Sequence, residues 1–125
     1  MSETAPFPAA FARRLPKAEL HVHLEGSVGP ATLLALAEKH GVVPPAHDEP
    51  GIVDWLRTES FPGFLERYFF ICRLLRDPED FRRIAYDYLA SAHDQGAVHV
   101  EFHVSSSYHI VEQGADWPSI LSGIN

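Results

Sequence analysis

The sequence predicts an α/β fold with parallel strands, and three observations predict it. Two short segments, Glu19 to Glu25 and Ala97 to Val104, alternate apolar with ionisable residues, the period of a strand with one polar face. Between them apolar residues recur at helical spacing, most clearly from Phe61 to Leu75 and from Phe81 to Ala92, as on the buried stripe of a helix. Strands separated by that much chain pair in parallel through a crossover, because a hairpin loop holds only a few residues. Parallel sheets are covered on both faces, as in doubly wound folds and (β/α)8 barrels of ~250 residues. Two strands in 125 residues therefore point to the N-terminal portion of a larger domain.

The lead from Met1 to Pro16 is rich in Ala, Pro and Phe, and Arg13 and Arg14 precede no apolar run. It reads as a loose arm over residues 1–14 and not as a secretion signal, with the domain occupying 15–125. In the first strand Leu20, Val22 and Leu24 take one face and Glu19, His21, His23 and Glu25 the other. Gly26-Ser27-Val28-Gly29 breaks it, and Pro30 opens a helix carrying Leu33, Leu34, Ala37 and His40 that Gly41 closes, as a left-handed cap does. Pro44-Pro45 to Pro50-Gly51 reads as a loop, followed by a short helix around Ile52 to Arg57. Phe61, Phe64, Leu65, Tyr68, Phe69, Cys72 and Leu75 then form one broad stripe, expected to face the core, although a helix inserted after the first strand could cover the mouth of a site. Asp77-Pro78-Glu79-Asp80 carries a capping acid, a first-turn proline and acids over the positive end of the helix dipole. That helix runs through Phe81, Ile84, Ala85, Tyr88, Leu89 and Ala92 to Gly96. The second strand sets Val98, Val100, Phe102 and Val104 against His99, Glu101 and His103, and Asp116-Trp117-Pro118 opens a last helix with Ile120, Leu121 and Ile124.

Composition narrows the function. With 46% apolar and 22% charged residues the chain suits a globular core. Ten Lys and Arg against seventeen Asp and Glu leave a net charge of −7, the wrong sign for gripping a nucleic-acid backbone or an anionic membrane surface. No apolar run approaches the ~18 residues of a membrane span. The expected partner is a small molecule, with neither nucleic acid nor membrane, and no oligomeric state is assigned. A lone cysteine, Cys72, rules out an intrachain disulfide and a cysteine-rich zinc site, so a cytoplasmic location is expected.

His21-Val22-His23 is the chemical feature that stands out. Residues two apart on a strand point the same way, so both imidazoles can chelate one ion. The bland alternative is a pair that merely decorates a sheet surface. Placing two imidazoles beside Glu19 and Glu25 on an inward face is costly without a partner, and the glycine turn that follows gives a ligand close access to the backbone, which favours the metal reading. His23-Leu24-Glu25 also matches the first half of the nucleobase-deaminase signature, whose second half needs two cysteines, and one cysteine excludes it. There is no H-E-x-x-H, phosphate loop or nucleophile elbow. What survives is metal-activated water at an open site with nitrogen and oxygen ligands. His99 reads as structural beside Glu101, and His103, at the strand end, is left open as a substrate contact.

The run Leu15-Pro16-Lys17-Ala18-Glu19-Leu20-His21-Val22-His23-Leu24-Glu25-Gly26-Ser27, with Pro30 and Thr32-Leu33-Leu34, resembles the opening of the adenosine deaminase family. Leu74-Leu75-Arg76-Asp77-Pro78-Glu79-Asp80-Phe81 and Val98-His99-Val100-Glu101 resemble its later helix and second strand. The resemblance implies the N-terminal part of a (β/α)8 TIM-type barrel with a helical insertion between strands 1 and 2. It also implies one Zn2+ per complete site, with His21 and His23 as the first two metal ligands, and a purine substrate whose amine is replaced hydrolytically with release of ammonia. His23 and Glu25 would be substrate-binding. Family members that act on adenosine usually carry Asp at the Glu25 position, whereas Glu is frequent in those acting on adenine or aminodeoxyfutalosine. The second strand ends His103-Val104-Ser105-Ser106 where Arg or an aromatic and a Ser-Pro pair are common. The third metal His, the catalytic Glu, an assisting His and an Asp ligand would lie on later strands, so no catalytic residue is expected within residues 1–125. Two alternatives stand beside this reading: another barrel metal hydrolase with an H-x-H strand acting on a cyclic amide or ester, and a non-catalytic interaction module.

Overall fold

A computed structural model describes residues 8–125. The elements follow in the order α1 (Ala9–Arg14), β1 (Lys17–His23), α2 (Pro30–Lys39), α3 (Glu49–Leu56), α4 (Phe61–Leu74), α5 (Pro78–Asp94), β2 (Ala97–His103) and α6 (Trp117–Ile124). A 3-10 turn, Leu24–Ser27, follows β1, and a π-type turn, Tyr108–Glu112, follows β2. The strands pair in parallel, and their C-terminal ends meet at His23 opposite His103, as four intervening helices require.

The core lies among the helices beneath the strand ends. Leu24, Leu33, Leu36, Ile52, Leu74, Phe81 and Ile84 are essentially inaccessible, each such side chain contributing about 1.5–3 kcal/mol of burial free energy. The predicted end signals operate as local physics demands. Gly41 adopts φ 62° after α2, with Gly41 N donating to Glu38 O at 3.2 Å and Val42 N to Ala37 O at 2.9 Å, the paired bonds of a Schellman ending. Asp77 and Asp80 form a reciprocal capping box at the start of α5, satisfying two orphan amides.

Several expectations are corrected. The strand does not run to Glu25: its register shifts between Glu19 and Val22, His21 takes φ 62°, and the chain turns at Leu24. An irregularity of this kind changes which side chains share a face, so Glu25 leaves the polar face and points inward. Pro50 and Gly51 belong to α3 and not to a loop, because Asp48 caps that helix by accepting from Gly51 N at 2.8 Å. On α4 only the C-terminal half is core: Ile71, Cys72 and Leu74 are buried, while Phe61 and Phe64 are 69% and 51% exposed. Part of the supposed loose arm is the helix α1, whose last carbonyls accept from Lys17 Nζ, at 2.5 Å for Ala12 O and 2.9 Å for Leu15 O. Gly96, at φ 89°, passes so close beneath it that a Cβ there would run into the Arg13 carbonyl oxygen. Residues 1–7 of the arm lie outside the described residues.

One ionic tie holds α2 to α5. The fully buried Asp80 carboxylate accepts from Lys39 Nζ at 2.6 Å and from the Arg76 amide at 2.8 Å, and His40 Nε2 lies 2.8 Å away. Asp80→Asn is expected to cost about 2–4 kcal/mol, the scale for removing one partner from a buried charged network. Urea unfolding followed by tryptophan fluorescence measures it, and a midpoint within error of the parent contradicts this assignment.

Candidate functional site

β1 delivers His21 and His23 to the C-terminal edge of the sheet, and β2 delivers His103 beside them. The His21 and His23 ring centroids are 5.5 Å apart; His103 lies 4.4 Å from His21 and 5.8 Å from His23. All three rings are exposed. His21 reaches this position with a left-handed backbone, which costs a non-glycine residue about 1–2 kcal/mol and is characteristic of residues held for function. His99 remains apart, paired with Glu101 at 3.0 Å on the exposed strand face.

Glu25 is fully enclosed immediately beneath. Its Oε1 accepts from the Ser105 amide at 2.7 Å and faces His109 Nε2 at 3.0 Å, and its Oε2 accepts from Tyr68 OH at 3.1 Å. The carboxylate expected to meet a substrate directly is therefore occupied by three protein groups. His109 is equally buried. Its Nδ1 lies 2.6 Å from Gln113 Oε1, while Gln113 Nε2 donates to Cys72 O, so both ring nitrogens face oxygen atoms. Burial alone would raise the Glu25 carboxyl; the hydrogen bonds from His109 and the Ser105 amide, together with the His109 charge, outweigh it and hold the group below the usual carboxylate range. Burial and the nearby Glu25 charge push the Cys72 thiol up to about 12, leaving it protonated and inert.

Sequence reasoning missed His109, Tyr68, Ser105 and Gln113 as members of this group. His109 follows no strand or helix period with the others, and only its burial against Glu25, a contact 84 residues away in sequence, sets it apart from the exposed histidines.

Next to the imidazoles lies a cavity of about 470 Å³, within the range of small-molecule sites. His23 forms part of its wall, Gly26 its turn, and Phe61, Phe64, Tyr68 and Tyr108 its aromatic sides. Tyr68 OH and Ser105 Oγ, 2.7 Å apart, give it a polar edge. The exposed α4 aromatics are thus cavity lining, which is why they are not core. A wider hollow of about 750 Å³ beside α1, lined by Arg13, Lys17 and Asp94 among others, is remote from the imidazoles.

Because the Glu25 carboxyl is depressed, it contributes stability above the ordinary carboxylate range, and that contribution is lost as pH falls through its lower folded-state value. Glu25→Gln is expected to cost about 3–5 kcal/mol at neutral pH and to flatten the acid side of the stability profile. Unfolding measured from neutral to acid pH checks this; parallel profiles for parent and variant contradict it.

The adenosine deaminase family model matches residues 16–125. The chain is 37% identical over 109 residues to the aminodeoxyfutalosine deaminase of Acidothermus cellulolyticus, covering 87% of this chain and 30% of that protein. It is 36% identical over 110 residues to the adenine deaminase of Bordetella avium, covering 88% and 34%. Among solved structures, an amidohydrolase from Burkhoderia ambifaria with bound Zn superimposes with a TM-score of 0.81 at 33% identity, covering 98% of this chain and 34% of that one. The chain thus spans about a third of the length of these relatives. With the family model matching nearly all of it from the first strand onward, the chain belongs to the adenosine deaminase family.

Proposed function

We propose that the protein carrying this chain is a cytoplasmic zinc-dependent hydrolase that deaminates an aminopurine, adenine, adenosine or a related adenine derivative, releasing ammonia. The observation that carries the reading is the meeting of the His21 and His23 rings, with His23 on the wall of an aromatic cavity. Relatives named as adenine and aminodeoxyfutalosine deaminases support the reaction class, and the solved amidohydrolase with bound Zn supports the metal. In this reading β1 and β2 are the first two strands of a (β/α)8 barrel, α5 is the crossover helix and α2 to α4 are an insertion over the barrel mouth.

The donor set fits the ion: two neighbouring imidazoles at a strand end are ligands that Zn2+ takes readily. When bound there, the ion supplies Lewis-acid activation of water near neutral pH. The chain's own residues do the rest of the work assigned to this portion. His21 and His23 hold the metal, and His23 also faces the cavity in which the purine lies. Phe61, Phe64 and Tyr108 exclude water from the ring and offer it flat faces. Glu25 orients the substrate through the polar edge it organises, fixing the Tyr68 hydroxyl and the Ser105 backbone. The remaining metal ligands and the acid–base group are assigned to the further length that the relatives possess, so residues 1–125 alone are incomplete for catalysis.

For the intact protein, His21→Ala and His23→Ala are each expected to abolish bound zinc and to lower kcat/KM by at least a thousandfold, about 4 kcal/mol of transition-state stabilisation. Metal analysis and an ultraviolet assay over adenine, adenosine and related purines measure both. Unchanged metal content and turnover in both variants, or activity confined to lactams or esters, contradicts the reading.

A further inference from the structure

We propose that Ser105 is a specificity-determining residue: its hydroxyl is fixed as a hydrogen-bond acceptor on the cavity wall and selects ligands that set a neutral N–H or O–H donor against it. The inference rests on the aminopurine reading above and adds to it the polarity of the cavity's polar edge.

The polarity follows from counting protons along a chain of three groups. Glu25 Oε2, a carboxylate oxygen, accepts from Tyr68 OH at 3.1 Å. A phenol has one proton to give, so at its second contact, 2.7 Å from Ser105 Oγ, the Tyr68 oxygen accepts. The Ser105 proton is thereby committed to Tyr68, and both lone pairs of Ser105 Oγ remain open to a ligand. Both ends of the chain are held in the states this requires. Burial alone would raise the Glu25 carboxyl, but its hydrogen bonds from His109 and the Ser105 amide keep it ionised, while burial and the Glu25 charge raise Tyr68 and keep the phenol protonated.

The other polar groups of Ser105 are engaged inside the protein. Its amide donates to Glu25 Oε1 at 2.7 Å, and its carbonyl accepts from the Tyr108 and His109 amides at 3.0 and 3.2 Å. Turning the hydroxyl proton toward the cavity would set two oxygen lone pairs against each other at 2.7 Å, losing one hydrogen bond and adding repulsion. The neighbouring walls sharpen the preference, because Phe61, Phe64, Leu65 and Phe69 line the same cavity and offer no hydrogen bond. A ligand donor placed at Ser105 is satisfied there and a ligand acceptor stays unpaired, a difference of about tenfold to a hundredfold in affinity. Tyr68 sets this preference as a positioning residue, since its donation to Glu25 is what turns the Ser105 proton away. An aminopurine can supply the donor from two sources: the N–H of the five-membered ring in a free base, or a sugar hydroxyl in a nucleoside, whose glycosidic bond has replaced that N–H.

The intact, zinc-loaded protein tests the inference with oxopurine products, which cannot turn over in the absence of ammonia. Calorimetry compares hypoxanthine with its 9-oxa analogue, in which a ring oxygen replaces the N–H, and inosine with 9-cyclopentylhypoxanthine, which lacks the sugar hydroxyls. In at least one pair the donor-bearing member is expected to bind about tenfold to a hundredfold more tightly, and the pair that discriminates identifies the source. Ser105→Ala and Tyr68→Phe are each expected to bring that ratio to within about threefold of unity with zinc retained, a change of preference that a merely structural defect does not produce. Equal binding within both pairs in the parent, tighter binding of the 9-oxa analogue, or a preference that survives either substitution overturns the inference. A protein that keeps its zinc and binds these purines without preference fails here alone; one that binds none of them fails the aminopurine reading, and this inference with it.

Discussion

The arrangement depends on one enclosed carboxylate. Glu25 sits at the point where the chain leaves β1, and it bonds Tyr68 on α4 and Ser105 and His109 after β2. A buried charge without partners is prohibitively costly, so the carboxylate demands that these three segments converge, and their convergence in turn fixes the strand ends. His23 lies two residues from Glu25, and His103 two residues from Ser105. The position of the imidazoles is thus set by a charge that does not itself touch them.

Two neighbouring features follow from that anchor. The strand must stop early enough for Glu25 to turn inward, which the irregularity at His21 allows at the cost of a left-handed residue. The first half of α4 is left over the strand ends instead of in the core, so Phe61 and Phe64 line a cavity. An apolar stripe thereby serves burial at one end, through Ile71 and Leu74, and ligand enclosure at the other. The same helix that packs the core delivers Tyr68 to the polar edge, coupling stability and site geometry through a single rigid element.

Much of the fold could be read from local chemistry. Pro30 and Gly41 bracket α2, Asp77 to Asp80 start α5, and the alternation around Val100 marks β2, because caps, prolines and periodicity act within a few residues. The His21 and His23 pairing also follows from a spacing of two. What escaped is non-local. The extra residue that turns Glu25 from the polar face to the interior leaves no trace in an alternating pattern, and neither the enclosure of His109 nor the His23–His103 pairing can be seen without the register of the two strands. Pro50 and Gly51 depart from the loop expectation for a different reason: both punctuate loops more often than first turns, and the Asp48 cap overrides that tendency.

The central claim is that strand-end imidazoles gather around one ion. X-ray absorption at the zinc edge of the zinc-loaded chain tests it most directly, because it reports the ligands without reference to activity. Scattering from the His21 and His23 imidazole rings, at Zn–N distances of about 2.0–2.1 Å, is the expected result. A spectrum of zinc surrounded only by water oxygens, or one containing a sulfur ligand from Cys72, contradicts it.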